Sequence, residues 1–173
     1  MTETVQQYTA RLTGLVGERD PLEVMAETPG RLQALTSGAS AEELRFTTAP
    51  ERWTIGQIAA HMADAEVVGA WRFRTVLAQD GVDLQAYDQN AWASAFRYET
   101  VPAAESVGLF SALRHATLRV LRQVDPARLR HAGRHAERGP ESIGRLTQMY
   151  AGHDLNHLAQ IERLLSEARL SRS

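Results

Sequence analysis

His153 and His157 stand four residues apart in GHDLNHLAQIERLLSEARL, residues 152 to 170. In a helix, that spacing puts two imidazoles about 40° apart around the axis and about 6 Å apart along it, so both can grip one ion from one face. Ile143, Leu146, Tyr150, Gln160 and Leu164 share their three-four repeat, which places both histidines on the apolar seam. An unsatisfied nitrogen buried there costs on the order of 1–3 kcal/mol, so the pair calls for partners. His61 is a third imidazole, one turn into the inward side of another long helix. Facing helices of a bundle commonly build metal sites from inward side chains. A His61, His153 and His157 set would leave a coordination position for water or substrate, as a catalytic centre needs and a closed structural site does not. Zn²⁺, Ni²⁺, Cu²⁺ and Fe²⁺ all accept such nitrogen ligation. The competing reading is three histidines held in the core by ordinary hydrogen bonds.

Two better-known metal motifs do not fit. The zinc protease pattern needs a glutamate directly after the first histidine as general base, and Asp154 stands there. Di-iron bundles use Glu-x-x-His. Three residues before His61, His153 and His157 stand Ile58, Tyr150 and Asp154, of which only the last is a carboxylate. Around the triad, Gln160 lies a turn beyond His157 and is a candidate hydrogen-bond partner for it. Asp64, a turn past His61, is a candidate for orienting an imidazole. Arg72, inward and some three turns from His61, either pairs with a carboxylate or holds an anionic group of a substrate. His115 falls off the apolar face of its helix, and His131 and His135 sit in the arginine-rich RLRHAGRHAER, where exposed roles are expected.

The elements that must position these residues are helices. Residues 3 to about 17 form a short helix ending near Gly14 or Gly17. In DPLEVMAETPGRLQALTSG, Pro29 implies either two pieces or one helix that begins there. Ser40 with Glu43, and Thr54 with Gln57, have capping-box spacing. From Thr54 a long helix runs to Gly81, with Ile58, His61 or Met62, Ala65, Val68, Arg72 and Val76 at helical intervals. Residues 82 to 101 show no sustained period and read as a long loop with about one turn, of the kind that is usually functional or well packed. Pro102 opens a third helix that ends at Asp125-Pro126, and the last runs from about Ser142 to Arg169. No run of β-branched alternation appears. The expected fold is all-α, a four-helix bundle over residues 20–170 with a long loop between the second and third helices. Residues 1–19 precede it as an N-terminal extension or short helix.

The 173 residues allow one domain with a real core. All 19 basic residues are arginine, and they are balanced by 21 acidic ones, which argues against nucleic acid as a partner despite the basic segment at 128–138. There is no cysteine, so disulfides, thiolate ligands and a cysteine nucleophile are excluded. No stretch approaches 18 apolar residues and no secretory signal opens the chain, so no membrane and a cytoplasmic location are expected.

The segments RWTIGQIAAHMADAE, YDQNAWA and HAERGPESIGRLTQMYAGHDLNHLAQIERL are similar to those of the DinB-like (DinB/YfiT-like) superfamily of metalloenzymes, over about residues 20 to 170. Its name is shared with a DNA polymerase and nothing more. The W-[ST]-x-x-x-[ILV]-x-x-H opening and the closing H-x-x-x-H-x-x-Q-I occur in order and at family-like distance. The resemblance implies a four-helix bundle in which His61, His153 and His157 bind a divalent ion, zinc or nickel, and a homodimer. Asp88 and Trp92 match an Asp and Trp that pack near the bundle mouth in the family. The activity it implies on a small-molecule substrate is that of a metal-dependent hydrolase or of an S-transferase using a low-molecular-weight thiol. The alternative is a non-catalytic, metal-binding or stress-related dimeric bundle.

Overall fold

The computed structural model describes residues 3–171. Its helices are α1 (Val5–Val16), α2 (Pro21–Ser37), α3 (Ala41–Leu44), α4 (Ile55–Ala78), α5 (Gln89–Ala95), α6 (Ala103–Gln123) and α7 (Ile143–Leu170). Four of them close a ring: α4 packs on α6, α6 on α2, α2 on α7, and α7 on α4, while α1 lies along α7. The expected all-α bundle is what forms. Capping boxes at Ser40/Glu43 and Thr54/Gln57 start α3 and α4, and Ser142 caps α7. Each satisfies amide groups that the first helical turn leaves free. Among the described residues no helix is long and apolar enough to cross a membrane.

Two apolar clusters fill the ring. One gathers Met25, Phe73, Val76, Leu118, Leu121 and Leu146. The other gathers Leu32, Ile58, Met62, Phe110, Leu158 and Ile161. Between them, in the order of residues along α4, α6 and α7, sits a polar layer made of Glu66, Arg114 and Asp154. Arg114 is fully buried and donates through Nη2 to Glu66 at 2.8 Å, and through both Nη atoms to Asp154, the Nη2 contact being 3.2 Å.

The same arginine explains how α2 tolerates its proline. The helix begins at Pro21, where a missing N–H costs nothing, and runs unbroken through Pro29 to Ser37, neither in two pieces nor starting at Pro29. A proline inside a helix deprives the carbonyl four residues earlier of its donor. That carbonyl belongs to Met25, and Arg114 Nη1 donates to it at 3.0 Å.

Two segments hold more structure than a period search could reveal. Residues 82–101 contain the two-residue strand β1 (Asp83–Leu84), α5, and a 3-10 turn at Tyr98–Thr100. The polar stretch before α7 is a hairpin, β2 (Ala132–His135) and β3 (Gly139–Ser142), whose first strand pairs in parallel with β1. Strands of two to four residues are too short to show alternation, and Gly139 supplies the positive φ of 74° at the turn. Gly152 has a different task. A Cβ there would lie 2.0 Å from the Leu12 carbonyl oxygen, so glycine lets α1 meet α7 backbone to backbone.

Candidate metal centre

His61 comes from the second turn of α4, and His153 and His157 from the middle of α7, where those two helices face one another. One ligand nitrogen from each lies within 4.8 Å of the others. The ring centroids are 5.1 Å apart for His61 and His153, 4.9 Å for His61 and His157, and 4.5 Å for the α7 pair. His61 Nε2 and His153 Nε2 are 3.0 Å apart. Trp53, just before α4, covers His61 with ring centroids 4.8 Å apart.

Desolvation sets the protonation of the cluster. It brings His61 down from the ordinary histidine value to about 3, with the neighbouring His157 adding to the effect. It brings His157 down to about 4, against the opposing pull of Gln160, and holds His153 well below the ordinary value. All three rings are therefore neutral near pH 7, and a neutral imidazole is the ligating form. His157 Nδ1 is 3.0 Å from Gln160 Oε1, an acceptor, so Nδ1 carries the hydrogen and Nε2 keeps its lone pair for the cluster.

These side chains fit a divalent ion. An ion with nitrogen bonds of about 2.0–2.1 Å needs donors roughly 3–4 Å apart, and one nitrogen from each ring already lies within 4.8 Å of the others. Among the described residues, His61 Nδ1 is buried without a hydrogen-bond partner, and the hydrogen-bond contact of its Nε2 is His153 Nε2. The cluster can hold a metal; it contains no carboxylate or thiolate that would favour another cofactor.

A cavity of about 360 Å³ opens onto His61 and His153. Its other walls include Tyr8 and Leu12 of α1, Ala65 and Arg72 of α4, Tyr87, Arg138, and Met149 and Tyr150 of α7. Arg138 is neutralised by Glu141, which accepts from its Nε at 2.7 Å and its Nη2 at 2.8 Å.

The structure thus brings His61, His153, His157 and Gln160 together and lines the adjoining cavity with Arg72. Asp64 stands apart: its carboxylate accepts from the Tyr98 hydroxyl at 2.6 Å and bonds no imidazole. Asp154 serves Arg114 in the polar layer and cannot act as a base. Asp88 caps α5, and Trp92 packs at a tilt against both Tyr87 and Phe96. His115 is exposed as expected, but His135 is buried and His131 half-buried. Both are drawn in by the hairpin, where His135 Nδ1 accepts from the Glu137 N–H and His131 Nδ1 lies 3.0 Å from the Val76 carbonyl. Glu66, Arg114, Tyr8 and Tyr87 also belong to the site and its support, and none of them stands in a recognisable motif. For the first two a signal was present: each is a charged residue at an apolar interval of its helix, four after Met62 and Phe110 respectively.

A four-helix bundle with three inward imidazoles from two facing helices defines the class. The chain belongs to the DinB superfamily, whose model matches residues 25–161. A protein of Oceanobacillus iheyensis named "putative metal-dependent hydrolase" is 25% identical over 158 residues, covering 91% of each chain. One of the same name from Halalkalibacterium halodurans is 27% identical over 137 residues, covering 79% of this chain and 80% of the relative. Among solved structures, that of YfiT from Bacillus subtilis, described as "a probable metal-dependent hydrolase with an unusual four-helix bundle topology", superposes with a TM-score of 0.79. That match covers 96% of this chain and 90% of the other at 19% identity, and it shows the fold.

Proposed function

We propose that the protein is a metal-dependent enzyme acting on a small molecule, with zinc or nickel held by His61, His153 and His157. Its reaction is hydrolysis or the transfer of a low-molecular-weight thiol to an electrophile. The observation that carries this reading is the cavity of about 360 Å³ that reaches His61 and His153, since a purely structural metal site would be sealed. The names of the relatives point the same way.

His61, His153 and His157 would hold the ion, which when bound would acidify a water or thiol and offer a positive pole to a developing oxyanion. The chain's own residues prepare the place. Gln160 holds His157 in the tautomer that turns Nε2 inward. Burial keeps the three rings neutral and therefore free to ligate. Asp154, adjacent to His153, is tied to Arg114 and so fixes the rotation of α7 that aims His153 at the cluster. Trp53 shields one face of His61 from water.

The test is to strip the protein with a chelator, restore zinc or nickel, and assay two panels: activated esters and amides, and thiols with an electrophile. Activity that returns with the ion in one panel assigns the reaction. Metal binding with no turnover in either panel would instead indicate a non-catalytic bundle.

A further inference from the structure

Among the described residues, the buried cation Arg72 has no counterion. It is 5% exposed, and its guanidinium offers five N–H donors. Nη2 donates to the Gln85 carbonyl at 2.6 Å, and Nε has no partner. Its other polar neighbours are the neutral Tyr150 hydroxyl and His135 Nε2, the latter 3.4 Å from Nη2. His135 Nδ1 already accepts the Glu137 N–H at 3.2 Å, and a neutral imidazole has a single acceptor nitrogen. His135, held neutral by desolvation, brings no negative charge to Arg72 in either tautomer. Among the described residues Arg72 forms no ion pair, whereas the other arginines of the interior, Arg114 and Arg138, hold carboxylates. An uncompensated buried charge is expensive, so a ligand that brings the missing negative charge gains by binding there.

The guanidinium lines the same cavity as His61 and His153. It sits beside the hydroxyl of Tyr150, whose phenol burial pushes up and Arg72 holds back. Tyr150 lies less than one helical turn before His153 on α7, so the arginine end and the imidazole end belong to one small space. The Tyr8 and Tyr87 phenols line it too, and desolvation raises both, Tyr87 to about 12, which keeps them as neutral O–H donors.

We infer that the cavity takes a small molecule bearing a carboxylate, received by Arg72 with Tyr150 beside it, while the reacting end faces the three imidazoles. This rests on the reading of that cavity as the active site. A carboxylate suits the seat better than a phosphate dianion. Arg72 provides one unpaired positive charge, Arg138 is spent on Glu141, and the remaining charged walls are the carboxylates of Glu3 and Glu137.

The test uses metal-stripped full-length protein, so that binding at the imidazole end does not enter. Benzoate, acetate and inorganic phosphate are titrated into the wild type, Arg72→Gln and Arg72→Met, with heat of binding and melting temperature as readouts. Benzoate should bind the wild type saturably and raise its melting temperature, with Arg72→Gln at least about tenfold weaker. Phosphate should bind more weakly than benzoate. Arg72→Met, which removes the unpaired charge while keeping the length, should melt no lower than the wild type without ligand. Equal benzoate binding by Arg72→Gln, tighter binding of phosphate, absence of saturable benzoate binding, or collapse of Arg72→Met would each overturn the assignment. Metal content, measured separately, decides the fate of the three-histidine reading, so the two can fail independently.

Discussion

The Gln160 amide oxygen accepts a hydrogen bond from His157 Nδ1 at 3.0 Å, across less than one turn of α7. This bond decides which nitrogen of His157 faces His61 and His153. Gln160→Met removes the acceptor while preserving length and helical propensity. Metal affinity, read by competition with a chromophoric chelator, should fall roughly 10–100-fold with the helical signal unchanged. Unchanged affinity would mean that the tautomer is set by something other than Gln160.

Arg114 holds two buried carboxylates and the carbonyl that Pro29 leaves without a donor. Arg114→Met should destabilise the fold by about 3–5 kcal/mol, because it strands acceptors in the core. Chemical denaturation measures this. Replacing Glu66, Arg114 and Asp154 together by apolar residues should recover a large part of the loss, since the desolvated charges then disappear as a set.

Gly152→Ala would place a methyl group 2.0 Å from the Leu12 carbonyl oxygen. Backbone cannot turn aside as a side-chain tip can, so α1 must move off α7. The expected cost is about 1–3 kcal/mol in urea unfolding, with protease cleavage within residues 5–16 increased. Because α1 carries Tyr8 and Leu12 of the cavity wall, benzoate binding should weaken in the same variant.

Acid should destabilise the metal-free protein over a defined window. His61 and His157 are depressed to about 3 and about 4 in the folded state, against an ordinary value near 6.5. Between those limits the unfolded chain binds protons that the folded one refuses, so stability is full above about pH 6.5 and falls as the pH drops toward 4. The slope is at most about 1.4 kcal/mol per pH unit for each proton taken up. Denaturation series at pH 7.5, 6 and 5 read it directly, and a flat profile would contradict neutral buried rings.

The helices and the three histidines were legible because both rest on a period. Capping boxes marked the starts of α3 and α4, and three-four spacing put His61 on one seam and His153 and His157 on another. The hairpin was not legible, since its four-residue strands are polar and are held by pairing with β1 some fifty residues earlier. Pro29 misled for a related reason. Its cost is offset by Arg114, a residue 85 positions away whose role emerges only when α2 and α6 pack. The unpaired state of Arg72 was likewise invisible: its inward position could be read, but the absence of a carboxylate partner is a property of the assembled cavity.

His61, His153 and His157 should together hold one divalent ion. Elemental analysis of protein purified without an affinity tag tests it most directly, on the wild type and on His157→Ala. About one zinc or nickel per wild-type chain is expected, and far less than one in the variant, with the fold retained. Full metal content in a folded His157→Ala protein would contradict it.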